Sequence, residues 1–106
     1  MSDWYVLDAH HNVVGPVDLQ TGAAFLEKRA ERVVARTTIA ANCDVSTVFL
    51  GLDHRFGPGA PLVFETLVFG GPCAGECDRY TTWVEAVEGH ARMVNRCQAM
   101  EEGRQK

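Results

Sequence analysis

The sequence predicts an α+β fold: one small domain, residues 1–106, in which an antiparallel sheet of three to five strands is packed by two helices. Three observations lead there. Two β-forming runs, Val45–Leu52 and Leu62–Phe69, flank a Gly/Pro-rich loop from Asp53 to Pro61, which is the pattern of a hairpin with a long loop. Both runs are apolar at nearly every position, so both sides of the hairpin need cover from a helix, a second sheet or another subunit. Two stretches of helical periodicity lie outside this block, one on each side, and supply the packing layer.

Taken in order, Trp4–Leu7 is a short strand, Asp8–Asn12 a polar turn and Val13–Val17 a second extended piece ended by Gly15–Pro16. Asp18 is placed to cap a helix reaching Arg32, with Leu19, Ala23, Leu26 and Ala30 at spacings of three and four. Gly22 weakens that helix by about 1 kcal/mol relative to alanine, and the like-signed pairs Glu27/Glu31 and Lys28/Arg32 give it no support. Val33–Ala40 is β-branched, and with the hairpin it makes a three-stranded meander over residues 33–70. If Gly57 sits at the hairpin apex, Leu50 faces Phe64 and Val48 faces Thr66. The outer face then carries Thr47, Phe49, Val63, Glu65, Leu67 and Phe69. Gly70–Arg79 is a loop. Thr82 and Glu85 form a capping box for a last helix, whose stripe Trp83, Val87, His90, Val94 and Cys97 faces the core. The end, residues 101–106, is expected to fray.

Charge and composition exclude more than they assign. A net charge of −4 with scattered basic residues argues against a nucleic-acid partner. No run is apolar for the ~20 residues a bilayer span requires. The start, MSDWYVLDAHH, has neither the basic nor the apolar segment of a secretory signal. The expected compartment is the cytoplasm, so Cys43, Cys73, Cys77 and Cys97 are read first as thiols or ligands.

The hairpin string VSTVFLGLDHRFGPGAPLVFETLVFGG (residues 45–71), followed by RYTTWVEAVEGHARMV (79–94), resembles a group of small bacteriophage and prophage proteins to which no activity is assigned. Members of that group open on a similar WYVLD segment. The resemblance covers most of the chain and implies a phage or mobile-element setting without a mechanism. The cysteine pair of GPCAGEC is not part of the shared pattern.

Four constellations could carry chemistry. Cys73 and Cys77 have a spacing compatible with half of a zinc site, but the second pair is missing. Asp53, His54 and Arg55 at the hairpin tip offer acid–base groups; the competing reading is turn chemistry, with no nucleophile or phosphate-loop motif beside them. Glu65 sits inside an apolar strand, where a carboxylate needs a partner, and Arg36 is the nearest expectation. His90 is expected as a hydrogen-bonded core residue, and His10 and His11 as solvated.

Two functions follow, and a minor enzyme enters only as the weakest form of the second, because no activated nucleophile, carboxylate pair or cofactor fingerprint is present. The first is a non-catalytic interaction protein, a homodimer through the outer sheet face (Phe49, Val63, Leu67 and Phe69, with Glu65 among them), which in a phage setting would also engage a host protein. The second is a small-molecule or nucleotide-binding protein with a pocket near residues 53–61 formed by Asp53, His54, Arg55, Glu65 and Arg36. Zinc through Cys73 and Cys77 is the one cofactor that the spacing suggests.

Overall fold

The computed structural model describes residues 3–55 and 57–104, Arg104 as backbone only. Trp4–Leu7 (β1) and Val13–Val17 (β2) pair antiparallel into a two-stranded sheet. The turn between them is built on Asp8, whose Oδ1 accepts from the backbone N–H groups of His10 (2.8 Å) and Asn12 (2.9 Å). Gly15 and Pro16, expected to end the second piece, lie inside β2. A proline is tolerated there because β2 is an edge strand.

Asp18 caps the first helix as expected, accepting from the Thr21 N–H at 2.7 Å. The helix does not run on to Arg32. It ends as Leu19–Leu26 (α1), and a single turn, Arg29–Arg32 (α2), follows. Lys28, at φ −82° and ψ 71°, is the break. Arg32 then folds back to donate to the Leu26 carbonyl (3.3 Å) and the Phe49 carbonyl (3.2 Å), so one guanidinium satisfies an exposed carbonyl at the end of α1 and ties the break to the sheet.

Val33–Ala40 (β3), Cys43–Phe49 (β4) and Phe64–Phe69 (β5) form the expected antiparallel meander, and Cys77–Tyr80 (β6) adds a fourth strand in the order β3-β4-β5-β6. The stretch 70–79 was expected to be loop throughout, and its second half is β6. The local string CDRY carries little β signal; pairing opposite β5, with Cys77 facing Leu67 and Tyr80 facing Phe64, makes it a strand. The connection needs glycine at Gly70, where φ is +78° and a Cβ would lie 1.7 Å from the Asn42 carbonyl oxygen.

The hairpin register differs by one residue from a loop centred on Gly57. Phe49 faces Phe64, Thr47 faces Thr66 and Val45 faces Val68. The two arms continue beyond the strands, with Leu50 N–H donating to Val63 (2.6 Å) and His54 N–H to Leu62 (3.0 Å), so the loop is not symmetric about its glycine. A one-residue slip exchanges the faces of a strand. Phe49 is therefore fully buried core, not outer surface, and so is Thr47. Val63, also expected on the outer face, is fully buried at the end of the sheet in a cluster with Tyr5, Leu7, Phe25, Phe64 and Tyr80.

The last helix, Trp83–Arg104 (α3), begins with the expected capping box: Glu85 N–H donates to Thr82 Oγ1 (3.1 Å), and Thr82 N–H donates to Glu85 Oε1 (3.1 Å). Its inward stripe is Ala86, His90, Met93 and Cys97; Val87 points outward and is 46% exposed. The helix lies so close to the Tyr80 ring that only Gly89 fits against it, and this contact sets the rotation. α3 continues to Arg104 where fraying was expected from residue 101, and Glu101 is buried. Gln105 and Lys106 of that tail lie outside the described residues.

These elements make the expected α+β fold, with one difference in layering. α3 alone packs across the four-stranded sheet, while α1 packs on β1 and sends Phe25 edge-on to Phe49 (5.6 Å, 88°). The thinnest Cα extent, 21 Å, is about the depth of one sheet plus one helix. Among the described residues, no helix or second sheet covers the sheet face opposite α3.

Gly89 gives a test in which two effects have opposite signs. Helix propensity favours Gly89→Ala by about 1 kcal/mol. A Cβ there would sit 2.2 Å from the Tyr80 ring, and overpacking of that kind costs about 1–3 kcal/mol or more. The expected outcome is net destabilisation by about 1–2 kcal/mol in urea unfolding; a stabilised variant would mean that the helix is not seated on Tyr80.

Candidate functional site

The uncovered face of β3–β6 is read directly from the register. Arg36, Ser46, Leu67 and Cys77 share one cross-strand row; Val48, Glu65 and Arg79 share the next; and Thr38, Asp44 and Phe69 form a third. Its centre is apolar, with Leu67 and Val48 half-buried and Phe69 54% exposed. Charged pairs border it. Glu65 was expected to meet Arg36, but β4 lies between their strands. Arg79 on the adjacent β6 stands directly opposite Glu65, and Arg79 Nε donates to its Oε2 at 3.0 Å. Arg36 instead pairs with Asp44 (3.0 Å), which also accepts from Thr38 Oγ1 (2.6 Å). These two hydrogen bonds hold the Asp44 carboxyl below its ordinary range.

Of the residues expected at this surface, Glu65, Leu67 and Phe69 are there, while Phe49 and Val63 are in the core. The hairpin tip is a brace. Asp53 is 8% exposed, and its Oδ1 accepts from the backbone N–H groups of Arg55 (2.9 Å) and Leu62 (3.0 Å), with Arg55 Nε on Oδ2 at 2.8 Å. Arg55 also donates to the Gly59 carbonyl. With its oxygens committed to the loop, Asp53 holds the tip closed, and Asp53, Arg55, Glu65 and Arg36 each have a partner of their own in place of one shared pocket. His54 is half-buried and bonded through its backbone to Leu62.

Cys73 and Cys77 are also separated. Cys73 is buried in the turn beneath α3, whereas Cys77 is exposed on β6, where its Sγ donates to Glu65 Oε2 at 3.4 Å. Burial and the Glu65 carboxylate push the Cys77 thiol up. Among the described residues, no three His, Cys, Asp or Glu side chains are placed to hold a metal ion.

A concavity of about 1090 Å³ lies elsewhere: an open groove between α1, the β1–β2 turn and the start of α3, with Leu7, Phe25, Val33 and Trp83 as its apolar lining and Lys28 and Glu31 among its polar groups. His11, expected to be solvated only, stacks flat on Trp83 there (3.8 Å between centroids, 9°). Three segments distant in sequence build this groove, and no local pattern in any of them signals it.

The most ordered polar feature is inside. His90 Nδ1 lies 2.7 Å from Thr47 Oγ1, and its Nε2 lies 2.9 Å from Thr37 Oγ1. Thr47 Oγ1 is 2.6 Å from Thr66 Oγ1, to which the Tyr80 hydroxyl donates at 3.0 Å. One assignment satisfies every group: Tyr80 donates to Thr66, Thr66 to Thr47, Thr47 to His90 Nδ1, and His90 Nε2–H to Thr37. Burial lowers the His90 pKa. The directed chain adds to this, since a second ring proton would oppose the hydroxyl that Thr47 points at Nδ1. With His90 6% exposed, the chain orders the core and has no access to a substrate.

This arrangement has a signed pH dependence. The folded protein holds the His90 proton less tightly than the unfolded chain, whose ordinary value is 6.5, so stability is fully present above that value and is lost as pH falls below it toward the lower folded pKa. Asp8, Asp18, Asp44 and Glu85, whose pKa values hydrogen bonds lower, add their own losses only in the carboxylate range below. Thermal unfolding between about pH 7 and 5 is expected to show a falling Tm that flattens in His90→Gln; an equal slope in both proteins would count against a neutral His90.

No protein-family model, curated protein or solved structure matches this chain.

Proposed function

We propose that this is a non-catalytic interaction protein that self-associates as a homodimer through the uncovered face of its four-stranded sheet. The observation that carries the reading is Phe69, 54% exposed beside Leu67 and Val48 on a face that the chain's own helices leave open. Exposed apolar patches of this kind mark interaction sites. The bordering pairs Arg36–Asp44 and Glu65–Arg79 are each neutralised within the chain, so two copies would meet without net repulsion. The resemblance to phage proteins suggests a host protein as a further partner on the same surface, in the cytoplasm of an infected cell.

A second reading rests on the groove at Phe25 and Trp83. It makes the protein a binder of a small, largely apolar molecule, with the pocket there and not at the hairpin loop. Its size and apolar lining suit such a ligand. Quenching or shift of Trp83 fluorescence in a metabolite and nucleotide screen would favour it, and silence across a broad library would remove it.

Phe69→Lys tests the first reading. Its side chain is more than half exposed, so the variant is expected to fold with a Tm near that of the parent and to run as a monomer in sedimentation velocity where the parent is a dimer. A monomeric parent, or a dimer that persists in the variant, would rule out this face as the interface; an unfolded variant would make Phe69 core.

A further inference from the structure

Cys43, Cys73 and Cys97 come from the start of β4, the turn before β6 and the middle of α3, yet they share one buried cluster with Val45, Val68 and Met93. Cys73 and Cys97 are neighbours in that cluster. Cys73 Sγ also donates to the thioether of Met100 at 3.3 Å. Met100 lies three residues after Cys97 on α3, a spacing that puts both side chains on one helix face. Cys97 and Cys73 are 0% and 1% exposed and Met100 is 44% exposed, so the sulfurs lead from the surface inward.

We propose that Cys73, Cys97 and Met100 form a site for a soft monovalent metal ion, Cu(I). Thiolate and thioether donors together select such an ion over harder ones. Zinc asks for a closed tetrahedral set, which no three His, Cys, Asp or Glu side chains among the described residues provide; a low-coordinate Cu(I) ion is satisfied by two thiolates and a thioether. The half-exposed Met100 is the entry point, and the dry cluster beneath it keeps water from the ion. Both thiols are buried, so an ion must displace their protons to bind.

The binding step balances without a redox partner. Cys73 and Cys97 each release the S–H proton to solvent, two Cu–S bonds form to the thiolates, Met100 donates a lone pair, and the ion enters and stays as Cu(I). Because two protons leave, apparent affinity rises roughly 100-fold per pH unit.

The test is an anaerobic titration of the reduced full-length protein against Cu(I) held by the chromogenic chelator bicinchoninate. One equivalent of Cu(I) is expected to leave the chelator, with a sulfur-only first shell in X-ray absorption. Cys73→Ala/Cys97→Ala is expected to abolish transfer, Met100→Leu to weaken affinity by at least about tenfold, and Cys77→Ser, on the opposite sheet face, to leave it unchanged. No transfer, transfer retained in the double variant, or transfer lost in Cys77→Ser would each overturn the site. If circular dichroism shows the double variant unfolded, Met100→Leu decides the question, since its exposed side chain is dispensable for folding; unchanged affinity there refutes the proposal.

Discussion

A helix that carries a histidine onto a buried sheet face must give both ring nitrogens partners, because a buried nitrogen without one costs about 1–3 kcal/mol. Here α3 places His90 over β3 and β4, and Thr37 and Thr47 receive it. Thr47 is joined to Thr66 on β5, and Thr66 to Tyr80 on β6. One line of hydrogen bonds therefore joins all four strands and passes through the helix at His90. The line works in one register only. A shift of β4 by one residue would turn Thr47 to the outer face and bring Val48 or Ser46 under His90 in its place.

The rest of the architecture follows from how α3 is seated. Gly89 lets the helix descend onto the Tyr80 ring, which rotates Ala86, Met93 and Cys97 inward and Val87 outward. Phe49 and Phe64 then stack edge-on beneath Trp83 and Phe25, linking the sheet to the β1–β2 unit and α1. One helix suffices for one face. Because α1 is occupied with β1, no described helix remains to cover Leu67, Val48 and Phe69, and the surface on which the proposed association rests is a consequence of where α1 went.

Polar groups here divide by how completely the fold consumes them. Asp53 and Arg55 attract attention in the sequence, yet the hairpin loop uses Asp53 at both oxygens. Glu65 has Arg79 and Cys77. The groups with binding potential lie elsewhere: an apolar sheet face, a groove lined in part by the His11–Trp83 stack, and sulfurs beneath the surface of α3. None of these is a contiguous motif.

The fold class, both strands of the first sheet, the meander and both helix starts were legible in the sequence, because each depends on signals within a few residues: β-branched runs, Asp18 as a cap, and Thr82 with Glu85 as a capping box. What stayed hidden depends on pairing across distance. Hairpin register is set by how the arms continue past Leu50 and Val63, which loop symmetry does not reveal. β6 exists because β5 offers an edge, and the partner of Glu65 follows from strand order. The groove and the Cys73–Cys97–Met100 cluster each join three separate segments. By itself the sequence determined which segments become helix or strand, since those choices are local. Only the tertiary structure decided which faces meet and which side chains become site or core, because one residue of register, or one glycine against a ring, reverses that assignment without altering local propensity.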